Sequence, residues 1–150
     1  MGKYEDKAKA LFKEGYNCSQ AVFLAFSELH GLDDKSAARI ASSFGGGMGR
    51  MREVCGAVTG MFMVAGLLFG YDDPEAKQPK TDHYALIQAL AGEFREECGS
   101  IVCRDLLGGN ADTGSVPTDR TAEFYKKRPC VELVGLAARI LEKRLEGEPQ

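Results

Sequence analysis

Residues 44–70 read FGGGMGRMREVCGAVTGMFMVAGLLFG: a glycine loop, two arginines, one cysteine, then an almost unbroken apolar run. Gly45, Gly46, Gly47 and Gly49 are entropically costly in any regular element, so their clustering implies unusual dihedrals or close backbone approach. From Val54 to Gly70 the chain carries no charge, and the one hydroxyl side chain in that stretch is Thr59. A helix of that composition is buried on nearly all sides and belongs at the centre of the fold. At about 16 residues it falls short of the roughly 20 that cross a bilayer, so it reads as a core helix. Gly56 and Gly60 form a GxxxG pair, which in a soluble chain signifies neighbouring helices in close contact. Cys55 is placed in the first turn, where unpaired N–H groups and the helix dipole favour negative charge, with Arg50 and Arg52 just upstream. An acidic Cys55 thiol is the expectation.

The rest of the chain bounds the problem. A length of 150 residues fits a single domain, 1–150, large enough to bury its core without disulfides. The formal net charge is -3, with lysine and arginine spread along the sequence, so no nucleic-acid footprint is expected. The N-terminal MGKYEDKAKALF is charged and periodic and lacks the apolar core of a secretory signal, which predicts a cytoplasmic protein with no membrane association. Asp6 stands where a myristoylation motif requires Ser or Thr. Five cysteines in a reducing compartment point to catalysis, redox chemistry or metal binding in preference to structural disulfides.

Helical periodicity accounts for most of the sequence. Residues 3–14 place Tyr4, Ala8, Leu11 and Phe12 on one face and stop at Gly15. Asn17 caps a helix from Cys18 to about His30, with Val22, Phe23, Phe26 and Leu29 inward and Gly31 as terminator. Asp33 or Asp34 caps a third through Phe44, facing Ala37, Ile40, Ala41 and Phe44 to the core. After the central helix, residues 71–80 form a proline-punctuated loop. Thr81 then caps a helix through Glu97 whose inner face is Tyr84, Ile87, Leu90, Ala91 and Phe94. Ser100 caps a short helix holding Cys103, residues 110–120 form a polar loop, and a final helical region from about Arg120 to Glu146 breaks near Arg128, before Pro129. No β-alternating run of useful length is present. The class is therefore all-α, a bundle of five to seven helices around a buried apolar central helix.

Four of the five cysteines, Cys18, Cys55, Cys103 and Cys130, fall at predicted helix starts, whereas Cys98 falls at a helix end. If those starts converge, their pooled positive field lowers thiol pKa values and tolerates a thiolate-ligated metal or cluster. For any one cysteine an inert, space-filling role is an equal alternative. The spacings match neither a zinc ribbon nor a ferredoxin, and there is no CxxC pair.

The segments GYNCSQAV, FGGGMGR with CGAVTG, GSIVCRDLLG and PCVELV resemble those of the C_GCAxxG_C_C family of redox-active proteins, over nearly the whole chain. The resemblance carries over Cys18, Cys55, Cys103 and Cys130, with one departure: Cys55 precedes Gly56, where the family name puts the cysteine after its glycine. It implies a helical domain of redox or cluster-binding character, and similar domains fused to electron-transfer modules favour an iron–sulfur cluster or zinc on those four cysteines. The alternative is a metal-free thiol–disulfide protein in which Cys55 attacks and a neighbour such as Cys103 resolves. Either form works with a redox partner protein or a small-molecule reductant, and a homodimer is compatible with both.

A third reading makes the chain an anion-binding module in which Gly46, Gly47 and Arg50 cradle the ligand, although the loop lacks a Walker lysine and a preceding strand. His83 beside Asp82 reads as a surface residue, His30 as a neutraliser of a helix end, the methionines as filler, and Glu93, Glu96 and Glu97 as a solvated face.

Overall fold

The computed structural model describes residues 2–147, and the only β feature among them is an isolated antiparallel bridge between Val54 and Val102. The all-α expectation holds. Helix α1 (Lys3–Lys13) lies against α10 (Cys130–Gly147) and α2 (Cys18–Ala25), and α2 in turn crosses α6 (Gly56–Phe69). Phe12, Val22, Phe23, Phe26, Val58, Met61, Val64, Phe94, Val134 and Leu141 are fully buried in one continuous core that these helices share. Short elements α3 (Ser27–His30), α4 (Asp34–Ser42), α5 (Gly45–Met48), α8 (Cys103–Leu107) and α9 (Ala122–Lys127) complete the bundle with the long α7 (Lys77–Cys98).

Local chemistry explains most boundaries. Asn17 and Gln20 form a reciprocal capping box at the start of α2, with Asn17 accepting from the Gln20 N–H at 2.9 Å and its own N–H donating to the Gln20 side chain at 3.0 Å. Asp33 supplies the cap of α4 by accepting from the Ser36 N–H at 3.0 Å. Thr121 does the same for α9. The break before Pro129 falls where proline demands it, with Arg128 extended at φ −102°, ψ 136°.

The structure departs from periodicity in several places. The expected helix over 18–30 breaks at Phe26, and His30 turns back so that its ring nitrogen bonds the Phe23 carbonyl at 2.8 Å and its ring stacks on Phe23. Leu29, Ile40 and Tyr84, expected inward, are 43%, 50% and 52% exposed: Leu29 lies in the short α3, which buries none of its residues, and α7 buries Leu90, Ala91 and Phe94, more than a turn beyond Tyr84. Helix α7 begins at Lys77 and not at Thr81: Pro79 is accommodated in the first turn, and the Thr81 hydroxyl donates to the Lys77 carbonyl instead of capping.

Helix α6 is the central helix over its first ten residues, where Ala57, Val58, Met61, Val64 and Ala65 are buried, but Gly66 and Leu67 reach the surface. No helix among the described residues is long and apolar enough to cross a membrane. Its crossing with α2 depends on glycine. A Cβ on Gly60 would lie 2.8 Å from the Ser19 carbonyl oxygen and 3.0 Å from the Val22 Cβ, closer than packed atoms tolerate. The same addition at Gly66 meets nothing within 4 Å. Gly60→Ala is therefore expected to lower stability by about 1–3 kcal/mol through overpacking. Gly66→Ala is expected to be neutral or to raise stability by up to about 1 kcal/mol. Urea unfolding of the two variants checks both signs.

Candidate functional site

The glycine loop builds the site. Gly46, Gly47, Met48, Gly49, Arg50 and Arg52 all have positive φ, so α5 is a coiled loop and not a regular helix. At Gly47, φ is 72° and a Cβ would fall 2.6 Å from the Cys103 Cβ and 2.8 Å from the Arg52 Cα, a position that only glycine fills. The loop closes on itself through Arg52 N–H to the Gly46 carbonyl at 3.2 Å and Glu53 N–H to the Gly47 carbonyl at 2.9 Å. Residues 52–55 then run antiparallel to 101–104: Cys55 N–H donates to the Ile101 carbonyl at 2.8 Å, Cys103 N–H to the Glu53 carbonyl at 2.6 Å, and Arg104 N–H to the Arg52 carbonyl at 3.2 Å. This cross-link joins the starts of α6 and α8.

Three cysteines occupy the first residue of a helix, Cys18 in α2, Cys103 in α8 and Cys130 in α10, while Cys55 is the N-cap of α6. They share one neighbourhood. The Cys18 and Cys130 thiols act on one another's acidity, and Cys18 also feels the charges of Cys55 and Cys103. Gly56 makes this approach possible, since a Cβ there would lie 3.1 Å from the Cys18 Cβ. The order Cys55-Gly56 thus leaves a bare helix start beneath Cys18. Cys98 stands apart at the end of α7, donating to the Phe94 and Ser100 carbonyls at 3.1 and 3.4 Å.

Acidity is distributed differently from the expectation. Burial pushes the Cys55 thiol up to about 12, although the N–H groups of Ala57 and Val58 pull the other way. A helix end contributes about 0.3–1 kcal/mol to an anion. Removing an ion from water costs several kcal/mol, so burial wins. Nor do the upstream arginines serve Cys55. Arg50 reaches the 112–118 loop, and Arg52, itself buried, bonds Asp112 and approaches the Cys103 sulfur at 3.8 Å. Cys103 is also raised by burial, against the pull of Arg52. The acidic thiol is Cys130: the Cys18 thiol, then the charges of Arg128, Arg120 and Arg52, bring it down to about 7 against the opposing effect of burial. Cys18 is raised well above its ordinary value, first by the Cys130 thiol and then by burial.

Cys18 and Cys130 open on a cleft of about 340 Å³, walled by Phe12, Phe124, Pro117, Gly45, Gly46 and Gly49 and by four arginines, Arg50, Arg52, Arg120 and Arg128. Asp112 ties three of them together, at 2.9 Å to Arg50, 3.5 Å to Arg52 and 2.8 Å to Arg128. Arg120 donates to the Phe12 and Tyr16 carbonyls and lies 4.0 Å from the Phe12 ring centroid. Of the residues proposed from sequence for ligand binding, Gly46 and Arg50 line this cleft, while Gly47 is buried behind it against Cys103. Cys55 and Cys103 are likewise buried behind the wall. His83 lines a separate cleft with Phe69, Leu86 and Arg144.

Sequence reasoning missed Arg120, Arg128 and Asp112. The local signal was present in Arg128-Pro129-Cys130, a cation two residues from a thiol at a helix start, but nothing local reveals that the 111–120 loop folds back over the glycine loop. Among the described residues no group of three or more His, Cys, Asp or Glu side chains is arranged to hold a metal ion. The Cys103 sulfur lies 3.8 Å from the Arg52 guanidinium.

An all-α bundle with four cysteines gathered at helix starts defines a helical cysteine-cluster protein. The chain belongs to the C_GCAxxG_C_C family: the family model described as "Putative redox-active protein (C_GCAxxG_C_C)" matches residues 16–144. Neither the curated proteins nor the solved structures gave a significant match.

The geometry sets an order of thiol reactivity. Below pH about 7 Cys130 is protonated and alkylates slowly, and as pH rises through that value its thiolate and its rate with iodoacetamide rise to a plateau. Cys55 stays unmodified throughout the neutral range. Cys18→Ala removes the neighbour that contributes most, so the Cys130 midpoint is expected to move up toward that of an ordinary thiol. Alkylation followed by peptide mass spectrometry checks all three.

Proposed function

We propose that this protein is a thiol–disulfide redox protein whose working pair is Cys18 and Cys130. The observation that carries the reading is that Cys18 and Cys130 line one open cleft together with four arginines, with Cys130 drawn down to about 7 and Cys18 raised well above its ordinary value. A thiol that ionises near neutrality is the nucleophile of choice, because it is substantially thiolate without having surrendered its nucleophilicity.

The cycle balances on a disulfide substrate. The Cys130 sulfur attacks one sulfur of the substrate, its S–S bond breaks, and the first half leaves as a thiolate that takes up a proton. Cys18 then gives up its proton and attacks the Cys130 sulfur of the mixed disulfide, releasing the second half as a thiol. Two electrons pass from the pair to the substrate, and a Cys18–Cys130 disulfide remains for a reductant to reopen. Arg52, Arg120 and Arg128, which already favour the Cys130 thiolate, favour the departing thiolates by the same field. Attack by Cys55 is replaced here by attack from Cys130, because Cys55 has neither the exposure nor the acidity.

A redox titration tests this against a metal or iron–sulfur centre held by Cys18, Cys55, Cys103 and Cys130. The expected result is one two-electron transition, with Cys18 and Cys130 joined in the oxidised form and Cys55→Ser still cycling. Cys130→Ser abolishes the transition. Protein purified anaerobically with one metal centre lost from each of the four single Cys→Ser variants, or a pair that stays reduced at every potential, overturns it.

A further inference from the structure

We propose that the cleft over Cys18 and Cys130 takes a small disulfide bearing carboxylates, held by those carboxylates against the arginine wall with its S–S bond at Cys130. This rests on the dithiol reading and specifies its substrate class.

Charge carries the argument. Among the described residues, four guanidinium groups line the cleft and no carboxylate does. Asp112, a carboxylate in contact with that wall, has its side chain 59% exposed and is divided among Arg50, Arg52 and Arg128. Arg120 is fixed by the neutral carbonyls of Phe12 and Tyr16 and by the Tyr125 hydroxyl. Asp112 is thus shared by three of the four guanidinium groups, and the bonds that hold Arg120 are to neutral oxygens. Like charges held together in a partly enclosed space repel, and a dianion relieves that repulsion. Guanidinium presents a planar fork that fits a carboxylate with two parallel bonds.

Shape narrows the class further. A volume of about 340 Å³ lies at the small end of ligand sites, which span roughly 300–1,000 Å³. It suits a short molecule and not a folded protein surface. Phe12, Pro117 and Phe124 give the wall an apolar strip on which a few methylene groups can lie between the charged end and the sulfur. An anionic group at the arginines therefore sets a reactive S–S bond beside Cys130 without any further anchor.

The test uses fully reduced wild-type protein and three small disulfides of different charge: dithiodipropionate as the dianion, hydroxyethyl disulfide as the neutral compound, and cystamine as the dication. Each rate of Cys18–Cys130 disulfide formation is divided by the rate of the same compound with a free model thiol. The dianion is expected to exceed the neutral compound by about tenfold or more, the dication to fall below it, and the spread to shrink in high salt and in Arg128→Gln. Equal normalised rates overturn the anion site and leave the dithiol reading standing. A pair that none of the three oxidises defeats the dithiol reading, so binding is measured separately by calorimetry on the Cys18→Ser/Cys130→Ser double variant. Heat with dithiodipropionate and none with cystamine upholds the anion site there. Equal heats, or none with the dianion, overturn it.

Discussion

The antiparallel contact between residues 52–55 and 101–104 is the constraint on which the site depends. Three backbone hydrogen bonds across it fix where α6 and α8 begin and hold Cys55, Cys103 and Arg52 together in a fold that otherwise has no sheet among its described residues. The contact requires the chain to reverse just before it within a few residues, which is why the preceding loop runs through successive positive-φ positions and why Gly47 touches both Arg52 and Cys103. The energetic cost of that backbone is met by the core beneath it, where α2, α6 and α10 bury most of their apolar surface.

A division of labour among the sulfurs follows from this placement. Those behind the wall, Cys55 and Cys103, are held away from water and remain protonated, while Cys18 and Cys130 face the cleft and act on one another's acidity. Identical side chains at similar helix starts thus differ in acidity because burial and neighbouring charge outweigh the modest, common contribution of a helix end. The arginine field acts where solvent is partly excluded, so it is stronger than the same charges would be on an open surface.

Much of the fold was legible in the sequence, since α1, α4, α6 and α10 announce themselves by periodicity, by Asp33, and by Gly15, Gly31 and Pro129. The outward positions of Leu29, Ile40 and Tyr84 were not, because periodicity gives a face and not the width of the partner that covers it. The four clustered cysteines were legible as helix starts, and the glycine loop as a site of close approach. The acidity of Cys130 was hidden, since it depends on Arg120 and Arg128 arriving from a loop whose sequence shows only that it is polar. The influence of Cys18, more than a hundred positions away in the chain, has no local trace at all.

The central claim is that one thiol of four is ionised near neutrality because a second thiol and three arginines stand over it. A titration of the fully reduced protein followed by the Cβ carbon resonances of the cysteines reads this directly. The account predicts that the Cys130 signal moves with a midpoint near 7 while the Cys55 signal stays fixed until strongly alkaline pH. Four cysteines titrating together at ordinary thiol values, or Cys55 moving first, would contradict it.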